Sequence, residues 1–356
     1  MTAPTIPVAV LGGTGYVAGE LLRLLAGHPV FRVAAAGSTS QEGEPVRGAF
    51  PHLAGTAVDG LRFESTLELA RRFEPDAPFG VFTATPHGAT AALVELLLTA
   101  AEAARARVRV VDLSADFRYP DAADYAAVYG HAHDAPARLE AFHCSLPEQL
   151  RGKPPVHAVQ PGCFTTAVTL GAWPFYALDL VEGSLFAAAV TGSSGSGRSP
   201  GAGTHHPERH SDLRAYSPLV HRHEPEVRRL LGLGRDGPAP EVELVPCSGP
   251  FVRGIHATLR LTLRTPTPAA ELVTRVNDFY APSPFVRASV ESPRLTEVVG
   301  TNRARLGLTT RGRTLVVTAV IDNLIKGAAG GGIQWMNRLF DLPDDAGLTL
   351  GGLGWY

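Results

Sequence analysis

Cysteine is scarce in this 356-residue chain: Cys144, Cys163 and Cys247 are the only three, and they have no metal-ligand spacing. An odd, scattered set does not make a disulfide scaffold and fits free thiols in a reducing compartment. Charge of one sign is also lacking. Lys and Arg number 32 against 34 Asp and Glu, a formal net charge of −2, so no basic field exists to hold nucleic acid. No run reaches the ~18 uncharged apolar residues that a membrane-spanning helix needs. The N-terminus has no basic segment of the kind that opens a secretion signal. Internal repeats and low-complexity tails are missing too. The expectation is a cytoplasmic protein that binds neither nucleic acid nor membrane.

What is present suits two folded domains. Hydrophobic residues are 45% and charged residues 19% of a chain long enough for more than one core. Pro7–Leu11 reads as a strand, Gly12–Gly15 as a turn and Tyr16–Ala26 as a helix, with Val17, Leu21, Leu22 and Leu25 at helical spacing. Strands at 31–36, 80–84 and 107–113 follow, alternating with helices near 67–73 and 89–104. Continuous apolar strands alternating with helices predict a parallel, doubly wound sheet. Beyond residue 155 the character changes. Strands at 185–191, 241–246, 255–265 and 314–321 include a run in which His256, Thr258, Arg260, Thr262 and Arg264 share one face, the pattern of an antiparallel sheet with one wet side. The segment 327–340 reads as a helix. The expected fold class is an α/β Rossmann-type dinucleotide-binding domain over 1–157, completed by 327–356, plus an α+β domain over 158–326 that has a mostly antiparallel sheet.

Gly13-Thr-Gly15-Tyr-Val-Ala18 fits G-x-G-x-x-A between a strand and a helix. Glycines allow the tight turn and close backbone approach, and the helix N-terminus offers N–H groups to a pyrophosphate. Gly12, Thr14, Gly15, Tyr16 and Val17 are therefore candidate cofactor contacts. A plain strand-to-helix turn is the alternative. An NAD site usually carries an acid about 20 residues on, whereas here the second strand runs into Ser38-Thr39-Ser40, with Arg47 nearby. Small hydroxyls and an arginine suit a 2′-phosphate, so the cofactor read from these residues is NADP(H). Serine and threonine also cap ordinary turns.

Cys163 follows Pro161-Gly162 and precedes Phe-Thr-Thr-Ala. That places it at a helix N-terminus, where the dipole and unpaired N–H groups favour thiolate. A buried free cysteine more often serves as a small hydrophobe, a role that suits Cys144 and Cys247 better. The stretch from Thr191 to His210 is a polar, glycine-rich loop whose fixed positive charges, Arg198 and Arg209, suit an anion clamp. His205, His206, His210, His221 and His223 invite a zinc reading, yet no standard spacing is met, and no metal is expected. His221 and His223 would face the same way on a strand and diverge on a helix. Either is a candidate proton shuttle for the thiol, and surface histidines flanking Arg222 are the alternative.

Taken with these, Gly12–Tyr16, Ser38–Gly43, Phe50–Leu53, Pro86–Gly88, Val111–Arg118, Pro161–Cys163, Ser194–Arg198, His221–Glu226, Arg253–Ile255 and Asp322–Ala329 resemble, in order, the N-acetyl-γ-glutamyl-phosphate reductases of arginine biosynthesis. That family is related to aspartate-semialdehyde dehydrogenases. The resemblance implies an N-terminal NADP domain closed by the C-terminal helix, a central catalytic and oligomerisation domain, and a homodimer or homotetramer. It implies Cys163 as nucleophile and His221 as acid/base, with His223 close behind. It implies Arg118 and Arg198 at substrate phosphate or carboxylate, with Gln160, Ser194 and Gly195 among the substrate contacts. Pro86 and Asn323 would lie at the cofactor, Asn323 near the nicotinamide.

Three departures stand out. Gln160 replaces an expected asparagine, Thr165 an expected proline, and Gly331-Gly332 a stretch that usually carries glutamine. Thr204–Arg209 also resembles the sister reductases acting on carrier-linked aminoadipyl phosphate in lysine synthesis, while Arg198 favours the glutamyl enzyme. A non-catalytic dinucleotide-binding redox sensor is a further alternative. It would need the glycine turn but not the thiol, histidines and anion loop together.

Overall fold

The computed structural model describes residues 5–235 and 237–354. The chain divides into two compact units, Met1–Pro161 with Ala328–Thr349, and Gly162–Gly327 with Leu350–Tyr356.

In the first unit, β1 (Ile6–Leu11), α1 (Tyr16–Leu25), β2 (Phe31–Gly37), α2 (Val46–Ala49), β3 (Phe63–Glu64), α3 (Thr66–Ala70) and β4 (Pro78–Thr83) follow in turn. They lead into α4 (Thr90–Ala104), β5 (Arg107–Asp112), α5 (Ala122–Tyr129), β6 (Phe142–Cys144) and β7 (His157–Val159). The sheet runs β3-β2-β1-β4-β5-β7-β6 and every pairing is parallel. The chain steps outward from β1 through β2 to β3 and then crosses back to β4 on the other side of β1. A doubly wound sheet places its ligand crevice at such a reversal, outside the carboxyl ends of the strands. Leu21, Leu22 and Leu25 of α1 are at most 2% exposed, as their spacing predicts.

The N-terminus of α4 has no local side-chain cap. Asp116 supplies one from a distance, accepting the N–H groups of Gly88, Thr90 and Ala91 at 2.8, 2.9 and 3.0 Å. A carboxylate there satisfies orphan donors and complements the helix dipole.

The second unit opens with α6 (Cys163–Ala177) and continues through β8 (Val181–Thr191), α7 (His206–Arg209), β9 (Arg214–Ala215), α8 (His223–Gly232), β10 (Val242–Ser248) and β11 (Ile255–Leu263). It ends with α9 (Ala269–Phe279), β12 (Val286–Ser289), β13 (Ala304–Arg311) and β14 (Thr314–Ile321). Its sheet has the order β12-β13-β14-β11-β8-β10-β9. β13–β14, β14–β11, β11–β8 and β10–β9 are antiparallel, while β12–β13 and β8–β10 are parallel. Along β11, Ile255, Ala257, Leu259, Leu261 and Leu263 are buried, and His256, Thr258, Arg260 and Thr262 lie on the wetter face. Helix α6 packs on β8, β11 and β14 and is buried almost all round, so it forms the spine of this unit.

The chain then enters α10 (Gly330–Leu339), which belongs to the first unit. Trp335 is fully buried there and donates to Ser145 O at 3.1 Å, while Asn337 Oδ1 meets His28 Nε2 at 3.1 Å. No helix among the described residues is long and apolar enough to cross a membrane.

Candidate active site

In the first unit the glycine turn is built by close approach. Gly12 has φ +151°, and a Cβ there would lie 2.8 Å from Ala84 O at the end of β4. Gly12 and Gly13 donate to Gly37 O at 3.3 and 3.0 Å, fastening the turn to the end of β2. Gly15 caps α1 without a side-chain bond, and no acid lies in the first turn of the helix. Thr14, Tyr16 and Val17 line the same turn, and Tyr16 is 40% exposed. Ser38 is buried, with its Oγ 3.5 Å from Ser40 Oγ, and Thr39 and Ser40 are exposed. Arg47 lies on α2, mostly in solvent, 3.9 Å from Asp59. Pro86 is exposed in the turn after β4. A bare helix N-terminus, a cradle that a side chain would fill and hydroxyls at the end of β2 together fit a dinucleotide.

At the carboxyl end of β7, on the same edge of the sheet, Gln160 N–H donates to Asp112 O at 2.8 Å. Asp112 is fully buried; burial pushes its carboxyl up, while hydrogen bonds from Ser114 and Thr83 oppose the shift. Arg118 and Gln160 are 4% and 1% exposed. Two of the departures noted in the sequence meet here. A side chain at Gly331 would lie 2.5 Å from Gln160 Oε1, so the longer amide at 160 fills the space left by glycine at 331.

In the second unit Cys163 begins α6, as expected, and is partly exposed. Glu226, fully buried on α8, accepts from Gly162 N–H at 3.0 Å and from Thr165 Oγ1 at 2.9 Å. Thr165, the third departure, thus provides a bond that proline lacks. The His223 ring lies so close to Gly162 that any side chain at 162 would overlap it.

Neither geometry considered for the histidines applies whole: His223 opens α8 and His221 lies in the turn before it. Their rings meet edge-on at 4.7 Å, and His221 also meets Phe164 at 5.7 Å. His223 N–H donates to His221 Nδ1 at 3.2 Å. In the neutral ring that leaves the proton of His221 on Nε2.

Ser194, Gly195 and Asn323 form a second group in this unit. Asn323 Nδ2 donates to Ser194 Oγ at 3.0 Å and Asn323 Oδ1 accepts from Gly254 N–H at 2.7 Å, so both ends of the amide brace the loop. A side chain at Gly195 would approach Asn323 Nδ2 at 3.9 Å. Arg198 is exposed beyond this loop. Arg209 is turned inward: it donates to Ser248 Oγ at 2.7 Å and to Gly249 O, so that half of the expected anion clamp is already engaged. His205, His206 and His210 are exposed, and the described residues hold no His/Cys/Asp/Glu group able to bind a metal.

Cys144 is buried, and burial pushes the Cys247 thiol up. Cys163 remains the thiol at a helix N-terminus with histidines beside it. Glu226 is not marked by residue type in the sequence; its one signal is its place at the end of His221–Glu226.

The segment 7–142 matches the model of the semialdehyde dehydrogenase NAD binding domain, and 163–323 that of the semialdehyde dehydrogenase dimerisation domain. An N-acetyl-gamma-glutamyl-phosphate reductase of Symbiobacterium thermophilum is 38% identical over 98% of this chain and 99% of the relative. One of Ectopseudomonas mendocina is 40% identical over 97% and 98%. The chain belongs to the N-acetyl-gamma-glutamyl-phosphate reductase family. Among solved structures, aspartate semialdehyde dehydrogenase II of Vibrio cholerae complexed with ASA has a TM-score of 0.69 at 16% identity, covering 95% of this chain and 99% of that one. The Candida albicans aspartate semialdehyde dehydrogenase with NADP has a TM-score of 0.64, also at 16% identity, covering 95% and 99%. At that identity they show a shared fold. The second unit of this family member carries the matched dimerisation domain.

Proposed function

We propose that this chain reduces N-acetyl-L-glutamyl 5-phosphate to N-acetyl-L-glutamate 5-semialdehyde and phosphate, with NADPH as reductant, in arginine biosynthesis. The observation that carries the reading is Cys163 at the N-terminus of α6 with His223 against its turn and His221 against His223. The names of the relatives and the matched domains supply the substrate class, and they give the aminoadipyl alternative no support.

The chemistry follows from sulfur. Cys163 Sγ attacks the γ-acyl carbon, the C–O bond to phosphate breaks, and a thioester forms. A thioester is a far better hydride acceptor than a carboxylate. The nicotinamide, when bound, supplies the hydride. The hemithioacetal alkoxide on Cys163 then collapses, the C–S bond breaks, and thiolate and aldehyde separate. Backbone N–H groups in the first turn of α6, lacking intrahelical acceptors, would face the developing oxyanion. His221, with Nδ1 already accepting from His223 N–H, would keep its Nε2 proton and donate it as a hydrogen bond to the phosphate, which leaves as the anion. His223 would position it.

Gly12, Thr14, Gly15, Tyr16 and Val17 would hold the pyrophosphate side of the cofactor, with Ser38, Thr39, Ser40 and Arg47 at the 2′-phosphate and Pro86 beside the turn. Asn323 would reach the nicotinamide by way of the loop it braces. Arg118, Gln160, Ser194, Gly195 and Arg198 would contact substrate. The matched dimerisation domain supports a homodimer or homotetramer, and free thiols suit the cytoplasm.

The test is the initial rate of NADP reduction, run in reverse with phosphate and either N-acetylglutamate semialdehyde or its aminoadipate homologue. A strong preference for the glutamyl semialdehyde, with NADP over NAD, is expected. Preference for the homologue, or no rate with either, would overturn the assignment.

A further inference from the structure

Where β14 ends, the buried carboxylate of Asp322 gathers the backbone that follows. Its Oδ1 accepts the N–H groups of Leu324 and Ile325 at 2.8 and 3.0 Å, and its Oδ2 that of Gly300 at 2.8 Å. Arg253 pairs with the same carboxylate at 3.0 Å. Ile325–Ala329 then form a single π-helical turn, in which Gly327 N–H reaches back five residues to Asp322 O at 3.0 Å. Turns this wide are rare and often stand at functional sites. Lys326, buried beside Gly327, lays its ammonium over the Phe285 ring at 5.3 Å. The turn is therefore held at its start and along its length.

Gly327 meets Cys163. A Cβ at 327 would lie 2.8 Å from Cys163 Cβ and 3.1 Å from Cys163 Cα, whereas carbon atoms in contact prefer about 3.5–4.0 Å. Neither atom of Cys163 can yield by rotating a side chain, because the backbone of α6 sets both positions. That backbone is fixed in turn by Glu226, through Gly162 N–H and Thr165 Oγ1. The base of the thiol side chain thus rests against a fastened glycine, in space that any other residue at 327 would fill.

We propose that Gly327 is a positioning residue for the nucleophile: its bare backbone sets where the Cys163 sulfur stands relative to the acyl carbon. This deepens the proposed function and rests on Cys163 as its nucleophile. Attack needs the reacting atoms at about 3–3.5 Å and aligned, and a misplacement of about 1 Å costs about 100-fold in rate. An added methyl group at 327 displaces the sulfur on that scale and brings no charge, so the thiol ionises as before.

The experiment compares the full wild-type chain with Gly327→Ala in two measurements. The first is steady-state reduction of N-acetylglutamyl phosphate by NADPH. The second is the pH profile of Cys163 alkylation by iodoacetamide, read on the Cys163 peptide by mass spectrometry. In Gly327→Ala, kcat should fall about 100-fold while KM for the acyl phosphate and the alkylation midpoint hold. An unchanged kcat, a loss carried by KM alone, or a shifted midpoint would each overturn the proposal. Thermal unfolding of Gly327→Ala, Cys163→Gly and the double variant tests the contact itself, whether or not the single variants are active. The alanine should lower Tm less in Cys163→Gly, which lacks the Cβ it meets, and an equal loss in both backgrounds would overturn the contact. If wild-type Cys163 takes no label at any pH, the nucleophile reading falls and this proposal with it.

Discussion

Both units begin a helix at a glycine after a strand, and the two helix ends are finished in opposite ways. At α1, Gly15 caps the helix with no side-chain bond. At α6, the N–H of the capping Gly162 is taken by the buried Glu226 carboxylate. A helix N-terminus attracts negative charge in either case. Left open, the first invites an anion from outside. Held at its capping glycine and at Thr165 by an internal carboxylate, the second is fixed in place, with Cys163 as its first residue. On the proposed function, the same local geometry would serve a binding site in one unit and a reacting group in the other, with a residue 63 positions from Cys163 making the difference.

The comparison breaks most severely at Gly12. Alanine there would carry its Cβ to 2.8 Å from Ala84 O at a φ of +151°. The turn would have to shift, with strain of about 2 kcal/mol and an NADPH affinity at least ~10-fold weaker. Calorimetric titration of Gly12→Ala with NADPH checks this, and an unchanged Kd would mean that the turn is only a connection. Cys163 alkylation in the same variant should stay at its wild-type rate.

A smaller change sharpens the comparison at α6. Glu226→Gln keeps an acceptor for Gly162 N–H and removes the charge. A thiol relieved of a nearby carboxylate ionises more readily, so the alkylation midpoint of Cys163 should fall by about 0.5–1 pH unit. A midpoint that stays or rises would show that Glu226 acts on the thiol through shape alone.

Much of the first unit was legible in the sequence because its signals are local. Residues 7–18 carry strand, glycines and helix within a dozen positions, and the apolar spacing of Leu21, Leu22 and Leu25 predicts the buried face. Cys163 was legible for the same reason, as Pro-Gly ahead of it sets a helix start. What escaped notice depends on contacts distant in sequence. Asp116 caps α4 from more than 20 residues away. Tyr216 reaches His221 only because the chain turns through Ser217 and Leu219, residues whose types give no hint of left-handed φ. Strands β12 and β13 and helix α9 carry no such local signal, their apolar positions being too few or too interrupted to stand out. The histidine pair fits neither a strand nor a helix alone, because it straddles a helix start.

The departures show the same limit from the other side. Gln160 and Gly331 look like separate oddities 171 positions apart in the sequence. In the fold they are one contact, an amide over a helix that lacks a side chain. Thr165 looks like the loss of a rigid proline and is instead the second donor to Glu226.

The central claim is a covalent acyl group on Cys163. The most direct measurement mixes the chain with N-acetylglutamyl phosphate in the absence of NADPH and follows both phosphate release and the mass of the Cys163 peptide. The account predicts a burst of about one phosphate per subunit with the acyl adduct on Cys163, and neither in Cys163→Ser. Turnover with NADPH at the wild-type rate in Cys163→Ser, or phosphate release with no adduct on that cysteine, would contradict it.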